Sequence, residues 1–233
     1  MVALDNLQDS EITPFLQKID GEIPYLKIGL EMFLHGGRPL VEEILEQNSF
    51  KIFLDLKLHD IPNTVQGAIK SLKGLPLEFL TIHLTGGERM VSAAMEECER
   101  SLPQTKLLGV SYLTSLESSD FKRMWSYEES EVGNAFDRLF SMAASLKLPG
   151  IVLSAHELER AKRFEQEFNH QFAKVTPGIR FADEINSKAT QDQKRVQAPD
   201  EALTNGSNYL VIGRSLNQST NLEERIQQLK QTL

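Results

Sequence analysis

Cysteine and long apolar runs are nearly absent from this chain of 233 residues. Its single cysteine, Cys98, rules out an internal disulfide and a zinc site made of several cysteines. No apolar run reaches the roughly 18 residues that a membrane-spanning helix needs. Asp5 and Asp9 also stand where a signal peptide would be basic and then apolar. We therefore expect a soluble protein of the cytoplasm with no membrane partner.

Positive charge is scarce as well, because 25 Lys and Arg residues stand against 33 Asp and Glu residues, a formal net charge of −8. Nucleic acids bind to basic surfaces that release counterions, so we expect no nucleic-acid partner. An anionic ligand would have to be held by a few local Lys, Arg and backbone N–H groups. With 40% hydrophobic and 25% charged residues, the composition is otherwise that of a folded globular protein.

Eight short apolar segments alternate with segments of helical periodicity. The apolar segments are VALD (2–5), YLKIG (25–29), KIFLDL (51–56), FLTIH (79–83), KLLGVS (106–111), GIVL (150–153), AKVT (173–176) and YLVI (209–212). Parallel strands require helical crossovers, and eight strand–helix units in about 250 residues make a (β/α)8 TIM barrel. Because no linker interrupts the pattern, we predict one α/β TIM-barrel domain over residues 1–233. The alternative is a doubly wound sheet, but the first turn, LDNLQD, has no glycine-rich dinucleotide fingerprint.

The spacing between successive strand ends is longest after strands five and seven. We therefore predict enlarged loops at these two places. In TIM barrels such loops lie at the C-terminal face, where chemistry takes place.

Charged residues in LDLKLHDIPNT (54–64) form the densest functional pattern. Side chains alternate along a strand, so Asp55 and Lys57 share one face of strand three. Asp60 begins the next loop, from which it is expected to reach Lys57, and Lys27 ends strand two. Neighbouring carboxylates keep lysines protonated, and a protonated, positioned lysine is a proton donor. A purely structural ion pair at the barrel rim is the alternative interpretation.

Phosphate-binding features follow strands seven and eight, where TIM barrels commonly hold phosphate. After strand eight, Gly213 allows close approach of the backbone, and Arg214 offers a fork for phosphate oxygens at a helix start. After strand seven, VTPGIR leads into the polar segment FADEINSKATQDQKRV. We predict that this segment forms a mobile lid with Gly178 as its hinge.

Taken in order, these segments resemble one family. VALD, LKIGLEMF, LDLKLHDIPNT, HLTGGERM, YLTS, VTPGIR, DQKRV and VIGRS occur in the order and spacing of bacterial orotidine 5′-phosphate decarboxylases, from Val2 to beyond Ser215. The resemblance implies a TIM-barrel enzyme that converts orotidine 5′-phosphate to uridine 5′-phosphate (UMP), the last step of de novo UMP synthesis. It implies that no cofactor is needed. It also implies a homodimer with its sites near the interface.

The resemblance implies a catalytic role for four charged residues. Lys57 would protonate C6 of the pyrimidine as carbon dioxide leaves, and Asp55 would crowd the substrate carboxylate. Lys27 and Asp60 would complete the charged network, with Asp60 donated to the site of the partner subunit.

The resemblance also implies a set of substrate-binding residues. Asp5 would bind the ribose hydroxyls, and Thr114 would contact the pyrimidine. Gln193 would bridge pyrimidine and phosphate from the lid, which also carries Arg180. The other residues assigned to substrate binding are Lys27, Asp55, Thr64, Gly213 and Arg214, of which the last two would hold the phosphate.

Two alternative functions remain open from the sequence. One is a magnesium-dependent sugar-phosphate aldolase or decarboxylase of the same superfamily, but these enzymes carry an acid where Lys27 stands, and a lysine repels the cation. The other is a barrel that binds a phosphate ligand without catalysis, which would have no need of Lys57. His35, His156 and His170 share no ligand spacing, so we predict no metal site.

Overall fold

The structure, a computed structural model, describes residues 1–186 and 196–232. Within these ranges eight parallel strands pair in sequence order from β1 to β8. Their bounds are β1 Val2–Ala3, β2 Tyr25–Gly29, β3 Lys51–Leu58, β4 Leu77–His83, β5 Lys106–Val110, β6 Gly150–Val152, β7 Ala173–Thr176 and β8 Tyr209–Leu210. A further parallel bridge joins Val2 to Ile212, just beyond β8, and closes the sheet on itself.

Helices separate the strands and pack against the outside of the barrel. Their bounds are α1 Asp9–Ile19, α2 Leu30–Gln47, α3 Pro62–Ser71, α4 Gly87–Ser101, α5 Ser118–Trp125, α6 Val132–Ser145, α7 Leu158–Glu167, α8 Ala182–Asn186, α9 Pro199–Thr204, α10 Arg214–Asn217 and α11 Leu222–Thr232. Among the described residues, the enlarged connection after β5 holds α5 and α6, and that after β7 holds α8 and α9. The alternation confirms the predicted (β/α)8 TIM barrel. No helix in the two described ranges is both long enough and apolar enough to cross a membrane.

Strand alternation divides the apolar side chains between the barrel interior and the layer beneath the helices. On β3, Leu54 and Leu56 belong to the large core between sheet and helices. Phe53 points the other way, into a small interior cluster with Phe79, and the two rings meet edge to face with centroids 5.9 Å apart. Asp55 is the next residue on this inner face. The fold therefore directs its carboxylate toward the C-terminal opening of the barrel.

Strand β3 ends later than its sequence pattern predicts, at Leu58 rather than Leu56. Lys57 has a left-handed backbone with φ 49°, and the register with β4 shifts between Leu54 and Leu58. Pairing therefore resumes beyond a bulge, which the period-two alternation of the sequence does not reveal. All eight predicted strand ends, including that of β3, lie within two residues of those in the structure.

Candidate active site

A cavity of about 310 Å³ opens at the C-terminal ends of the strands. Active sites of TIM-barrel enzymes lie at this end of the barrel. Most residues that the sequence analysis assigned to catalysis or substrate line this cavity, namely Asp5, Lys27, Asp55, Lys57, Thr114, Arg180, Gly213 and Arg214. They come from the ends of β1 to β3 and from the loops after β5, β7 and β8. The closed barrel thus collects side chains that are far apart in the sequence.

Lys57 and Asp55 form an ion pair in this cavity. One residue separates them on β3, and Nζ of Lys57 lies 2.7 Å from Oδ2 of Asp55. The Asp55 side chain is 11% exposed, whereas that of Lys57 is 37% exposed. The carboxylate therefore fixes the ammonium group while leaving it accessible to a ligand.

Lys27 joins this pair to a second carboxylate. Its Nζ atom lies 2.7 and 3.1 Å from the two carboxylate oxygens of Asp5 and 3.7 Å from Oδ2 of Asp55. The charges along the array alternate in sign from Asp5 through Lys27 and Asp55 to Lys57. From the sequence, Asp60 is expected as the second acid of this array, but within one chain Asp5 takes that place. The adjacency of β1 and β2, where Ala3 pairs with Lys27, is the reason.

Opposing effects act on the pKa of the Asp55 carboxyl. Burial raises the pKa, because desolvation disfavours the charged form. The charges of Lys57 and Lys27, together with hydrogen bonds from Lys57 and Thr81, lower it by more, so the pKa lies below its usual range. Asp55 is therefore ionised at neutral pH and presents a fixed negative charge to the cavity.

Thr81 is a member of this network that the sequence analysis missed. Its side chain is fully buried on β4, and Oγ1 donates a hydrogen bond to Oδ1 of Asp55 at 2.9 Å. The same oxygen accepts a hydrogen bond from the backbone N–H of Lys57 at 2.8 Å. The sequence does contain a signal for it. Side chains alternate between the two faces of a strand, and Thr81 lies two residues after Phe79, on the inner face of β4. Threonine is common in strands, so the residue type alone did not indicate a polar role.

A pair of histidines lies beside Lys57. The rings of His59 and His83 stack with centroids 5.1 Å apart, and Oγ1 of Thr85 lies 2.7 Å from Nδ1 of His83. Burial, followed by the effects of His59 and Lys57, lowers the pKa of His83 to about 4. His83 is therefore neutral at neutral pH.

Two arginines line the side of the cavity formed by β7 and β8. Arg180 is buried, and its guanidinium donates a hydrogen bond to the carbonyl oxygen of Ile179 at 3.0 Å. Arg214 begins α10 directly after Gly213, as the sequence pattern predicts. This wall of the cavity therefore concentrates positive charge in a chain that is acidic as a whole.

The predicted lid is described only in part. Its proposed hinge, Gly178, has φ 79°, a backbone conformation that favours glycine. Gln193 and the neighbouring positions 187–195 lie outside the described residues.

Asp60 and Thr64 lie outside the cavity of their own chain. Both residues are exposed, and Oδ1 of Asp60 accepts a hydrogen bond from the N–H of Ile61 at 2.6 Å. In the described part of the chain Asp60 does not form the expected ion pair with Lys57, which contacts Asp55 instead. The reason is that β3 continues to Leu58, so the side chain of Asp60 faces the turn that leads into α3.

Comparisons with known proteins show the family of this chain. A sequence model of the orotidine 5′-phosphate decarboxylase / HUMPS family matches residues 1–229. The chain belongs to this family.

Relatives match over nearly the whole length of the chain. An orotidine 5′-phosphate decarboxylase of Wigglesworthia glossinidia brevipalpis is 38% identical over 221 residues, which cover 95% of this chain and 91% of the relative. One from Vibrio cholerae serotype O1 is 37% identical over 234 residues, which cover 100% and 97%. The crystal structure of an orotidine 5′-phosphate decarboxylase from Lactobacillus acidophilus is 29% identical, covers 99% of this chain and 96% of its own, and has a TM-score of 0.80.

The position of Lys27 in this member of the decarboxylase family bears on the magnesium-dependent alternative. Its ammonium group lies between the carboxylates of Asp5 and Asp55. The ammonium group of Lys27 therefore pairs with the carboxylate oxygens that a magnesium ion would need as ligands. Residues 1–186 and 196–232 also contain no cluster of three or more His, Cys, Asp or Glu side chains suited to a metal ion.

Proposed function

We propose that this chain decarboxylates orotidine 5′-phosphate to UMP without a cofactor, and that Lys57 delivers a proton to C6. The observation that carries the proposal is the 2.7 Å contact between Nζ of Lys57 and Oδ2 of Asp55, in a cavity that Arg180 and Arg214 also line. The substrate carries a carboxylate at the reacting carbon and a phosphate at the far end. A fixed cation beside a fixed anion suits the first, and arginine side chains suit the second.

Lys57 meets the electronic demand of this reaction. When the bond between C6 and the carboxylate breaks, the electron pair stays on C6 in an sp² orbital that no adjacent carbonyl delocalises. A preorganised cation in a poorly solvated site stabilises such a charge. A proton then passes from Nζ of Lys57 to C6, which forms the C–H bond of the product and leaves a neutral amine that solvent reprotonates.

Asp55 acts on the departing group. Its ionised carboxylate would lie beside the substrate carboxylate, and like charges repel strongly where solvent is excluded. Carbon dioxide is neutral, so this repulsion falls as the bond breaks. The interaction therefore favours the transition state over the bound substrate, which is the requirement for catalysis.

The other cavity residues are proposed to contact different parts of the nucleotide. The proposed contacts are Asp5 with the ribose hydroxyls, Thr114 with the pyrimidine, Gln193 with pyrimidine and phosphate, Arg180 from the loop after β7, and Gly213 and Arg214 with the phosphate. Binding energy from the phosphate, far from C6, can then be used to hold the reacting carboxylate against Asp55.

We propose that the active form is a homodimer with its sites near the interface, and that Asp60 and Thr64 act in the site of the partner subunit. Ile61, the residue after Asp60, is 67% exposed, and Leu34 in α2 is 76% exposed. Contiguous exposed apolar side chains mark interaction surfaces, and the proposal places Ile61 and Leu34 in one such surface. Association there would add a further carboxylate to the array that ends at Lys57.

The chain is further proposed to form one barrel domain over residues 1–233 and to act in the cytoplasm. The bridge between Val2 and Ile212 supports the first point, because it ties the two ends of the sheet together. A single buried cysteine, Cys98, is in keeping with a reducing compartment.

The direct test is a spectrophotometric assay for the loss of orotidine 5′-phosphate, run with and without EDTA. The proposal expects steady turnover that the chelator does not change. Activity that EDTA removes and magnesium restores would favour the metal-dependent alternative. Binding of UMP without any turnover of orotidine 5′-phosphate would favour a non-catalytic barrel.

A further inference from the structure

We propose that Thr81 is a positioning residue that sets the orientation of Lys57, an inference that rests on the proposed decarboxylase function. Thr81 lies behind the cavity and does not belong to its lining, and its side chain is fully buried. It contacts both members of the Lys57–Asp55 pair. Its effect on the reaction therefore passes through these two residues.

One hydroxyl group makes both contacts. Oγ1 of Thr81 lies 2.9 Å from Oδ1 of Asp55 and 2.8 Å from the backbone nitrogen of Lys57. A hydroxyl has a single proton to donate, and an ionised carboxylate only accepts. The proton therefore goes to Asp55, and a lone pair accepts the N–H of Lys57.

The backbone contact supports an unusual conformation. Lys57 has φ 49°, a region that disfavours residues with a Cβ atom, and it lies where the ladder between β3 and β4 shifts register. At such a bulge the backbone N–H loses its regular partner on the neighbouring strand. The hydroxyl of Thr81 replaces that partner. Without this hydroxyl, regular pairing of β3 with β4 would become the more stable arrangement. That pairing would turn Lys57 away from the cavity.

The side-chain contact fixes the plane of the Asp55 carboxylate. Oδ2 faces the ammonium groups of Lys57 at 2.7 Å and Lys27 at 3.7 Å, and Oδ1 faces Thr81. Because each oxygen has its own partner, the carboxylate cannot rotate freely. Nζ of Lys57 then has one defined position, and a misplacement of about 1 Å can slow a reaction about 100-fold.

Three substitutions separate the hydroxyl from the rest of the side chain. Thr81→Val removes the hydroxyl at nearly constant shape, and Thr81→Ser keeps it. Thr176→Val is the matched control, because Thr176 is equally buried on β7 and its Oγ1 has no hydrogen-bond partner in the described part of the chain. We expect Thr81→Val to lower kcat by about 10- to 100-fold with the Kd for UMP little changed. Thr81→Ser and Thr176→Val should stay within about threefold of the wild-type kcat.

Two kinetic results would overturn the proposal. One is a Thr81→Val enzyme with the kcat of the wild type. The other is a Thr81→Ser enzyme as slow as Thr81→Val, because Thr81→Ser keeps the hydroxyl and its slowness would show that the hydroxyl alone does not maintain kcat. If Thr81→Val does not fold, Thr81→Ala and Thr81→Ser form the comparison, because they differ only in the hydroxyl, and the same ratio of kcat is expected.

Hydrogen exchange of the Lys57 amide provides a readout that does not depend on turnover. In Thr81→Val this amide should exchange at least about tenfold faster than in the wild type, whereas Thr176→Val should leave it unchanged. An unchanged exchange rate in Thr81→Val would contradict the role of Thr81. A wild-type protein that does not decarboxylate orotidine 5′-phosphate would instead contradict the proposed function.

Discussion

The carboxylate of Asp5 occupies the space that a Cβ atom on Gly29 would need. The same Cβ atom would lie 3.0 Å from Nζ of Lys27. Gly29 is the last residue of β2 and lies two positions after Lys27, so both face the cavity side of the strand. The charged array therefore depends on the absence of a side chain at the end of β2.

Gly29→Ala is expected to lower kcat/KM at least about tenfold, because the new methyl group displaces Asp5 and Lys27 from their contact. Gly67→Ala is the control. Gly67 lies within α3, and nothing lies within 4 Å of its added Cβ atom, so this variant should keep its activity and gain up to about 1 kcal/mol in free energy of unfolding. Steady-state kinetics and thermal unfolding measure both effects. A fully active Gly29→Ala enzyme would show that the array tolerates displacement.

Arg214→Ala is expected to weaken the binding of UMP far more than that of uridine. The loss for the nucleotide should be on the order of 2–5 kcal/mol, by analogy with desolvated charge pairs, and kcat for orotidine 5′-phosphate should fall as well. The control is Arg163→Ala, because Arg163 is exposed on α7 and pairs with Asp137. Calorimetric titration with both ligands measures the difference. Equal losses for nucleotide and nucleoside would remove Arg214 from the phosphate site.

The proposed role of Asp60 in the partner subunit predicts complementation between two inactive variants. In a mixed dimer of Lys57→Ala and Asp60→Asn, one site would carry both substitutions and the other would carry neither. Half of the dimers in an equilibrated equal mixture are mixed, so activity should recover to about one quarter of the wild-type value. Native mass spectrometry establishes that mixed dimers form. A mixture that contains them and stays inactive would place Asp60 in the site of its own chain.

The pKa of His83 reports on the charge of Lys57. Burial is the main cause of its lowering to about 4, and His59 and Lys57 lower it further. Because Lys57 contributes only when it is protonated, Lys57→Ala should raise the pKa of His83, and Lys57→Arg should raise it less. NMR titration of the imidazole signals measures the shift. An unchanged pKa in Lys57→Ala would contradict a protonated lysine at this position.

The lowered pKa of His83 also determines how the free energy of unfolding changes with pH. The unfolded chain protonates His83 near pH 6.5, whereas the folded chain does so only near 4. Acidification between these values therefore favours the unfolded state, and the contribution of His83 to stability is present above pH 6.5 and lost progressively below it. The depressed pKa of Asp55 has the same direction, since its contribution is lost as the carboxyl becomes protonated at lower pH.

The fold was predictable because strand and helix periodicities alternate regularly along the chain. The placement of Asp55 on the inner face of β3 follows from side-chain alternation alone, since Leu54 and Leu56 face the helices. Lys57 reaches the same cavity for a different reason, because it lies in a bulge with a left-handed backbone. Side-chain alternation along β3 predicts that Lys57 faces the cavity, but it does not reveal the bulge that holds Lys57 there.

Contacts between strands were less predictable. The ion pair between Asp5 and Lys27 depends on the closeness of β1 and β2, and the bonds of Thr81 depend on the register between β3 and β4. Neither register is encoded in the local pattern of a single strand. The orientation of the Asp60 side chain was not predictable either, because it depends on the backbone of the turn into α3.

Lys57→Ala tests the central claim most directly, with Lys51→Ala as control because Lys51 is exposed at the opposite end of the same strand. Turnover of orotidine 5′-phosphate and the Kd for UMP are measured on purified, folded protein. We expect kcat of Lys57→Ala to fall at least about a thousandfold, with UMP affinity largely retained and the activity of Lys51→Ala unchanged. A Lys57→Ala enzyme within about tenfold of the wild-type kcat would contradict the account, since a general acid contributes more than that. So would a folded Lys57→Ala protein that fails to bind UMP.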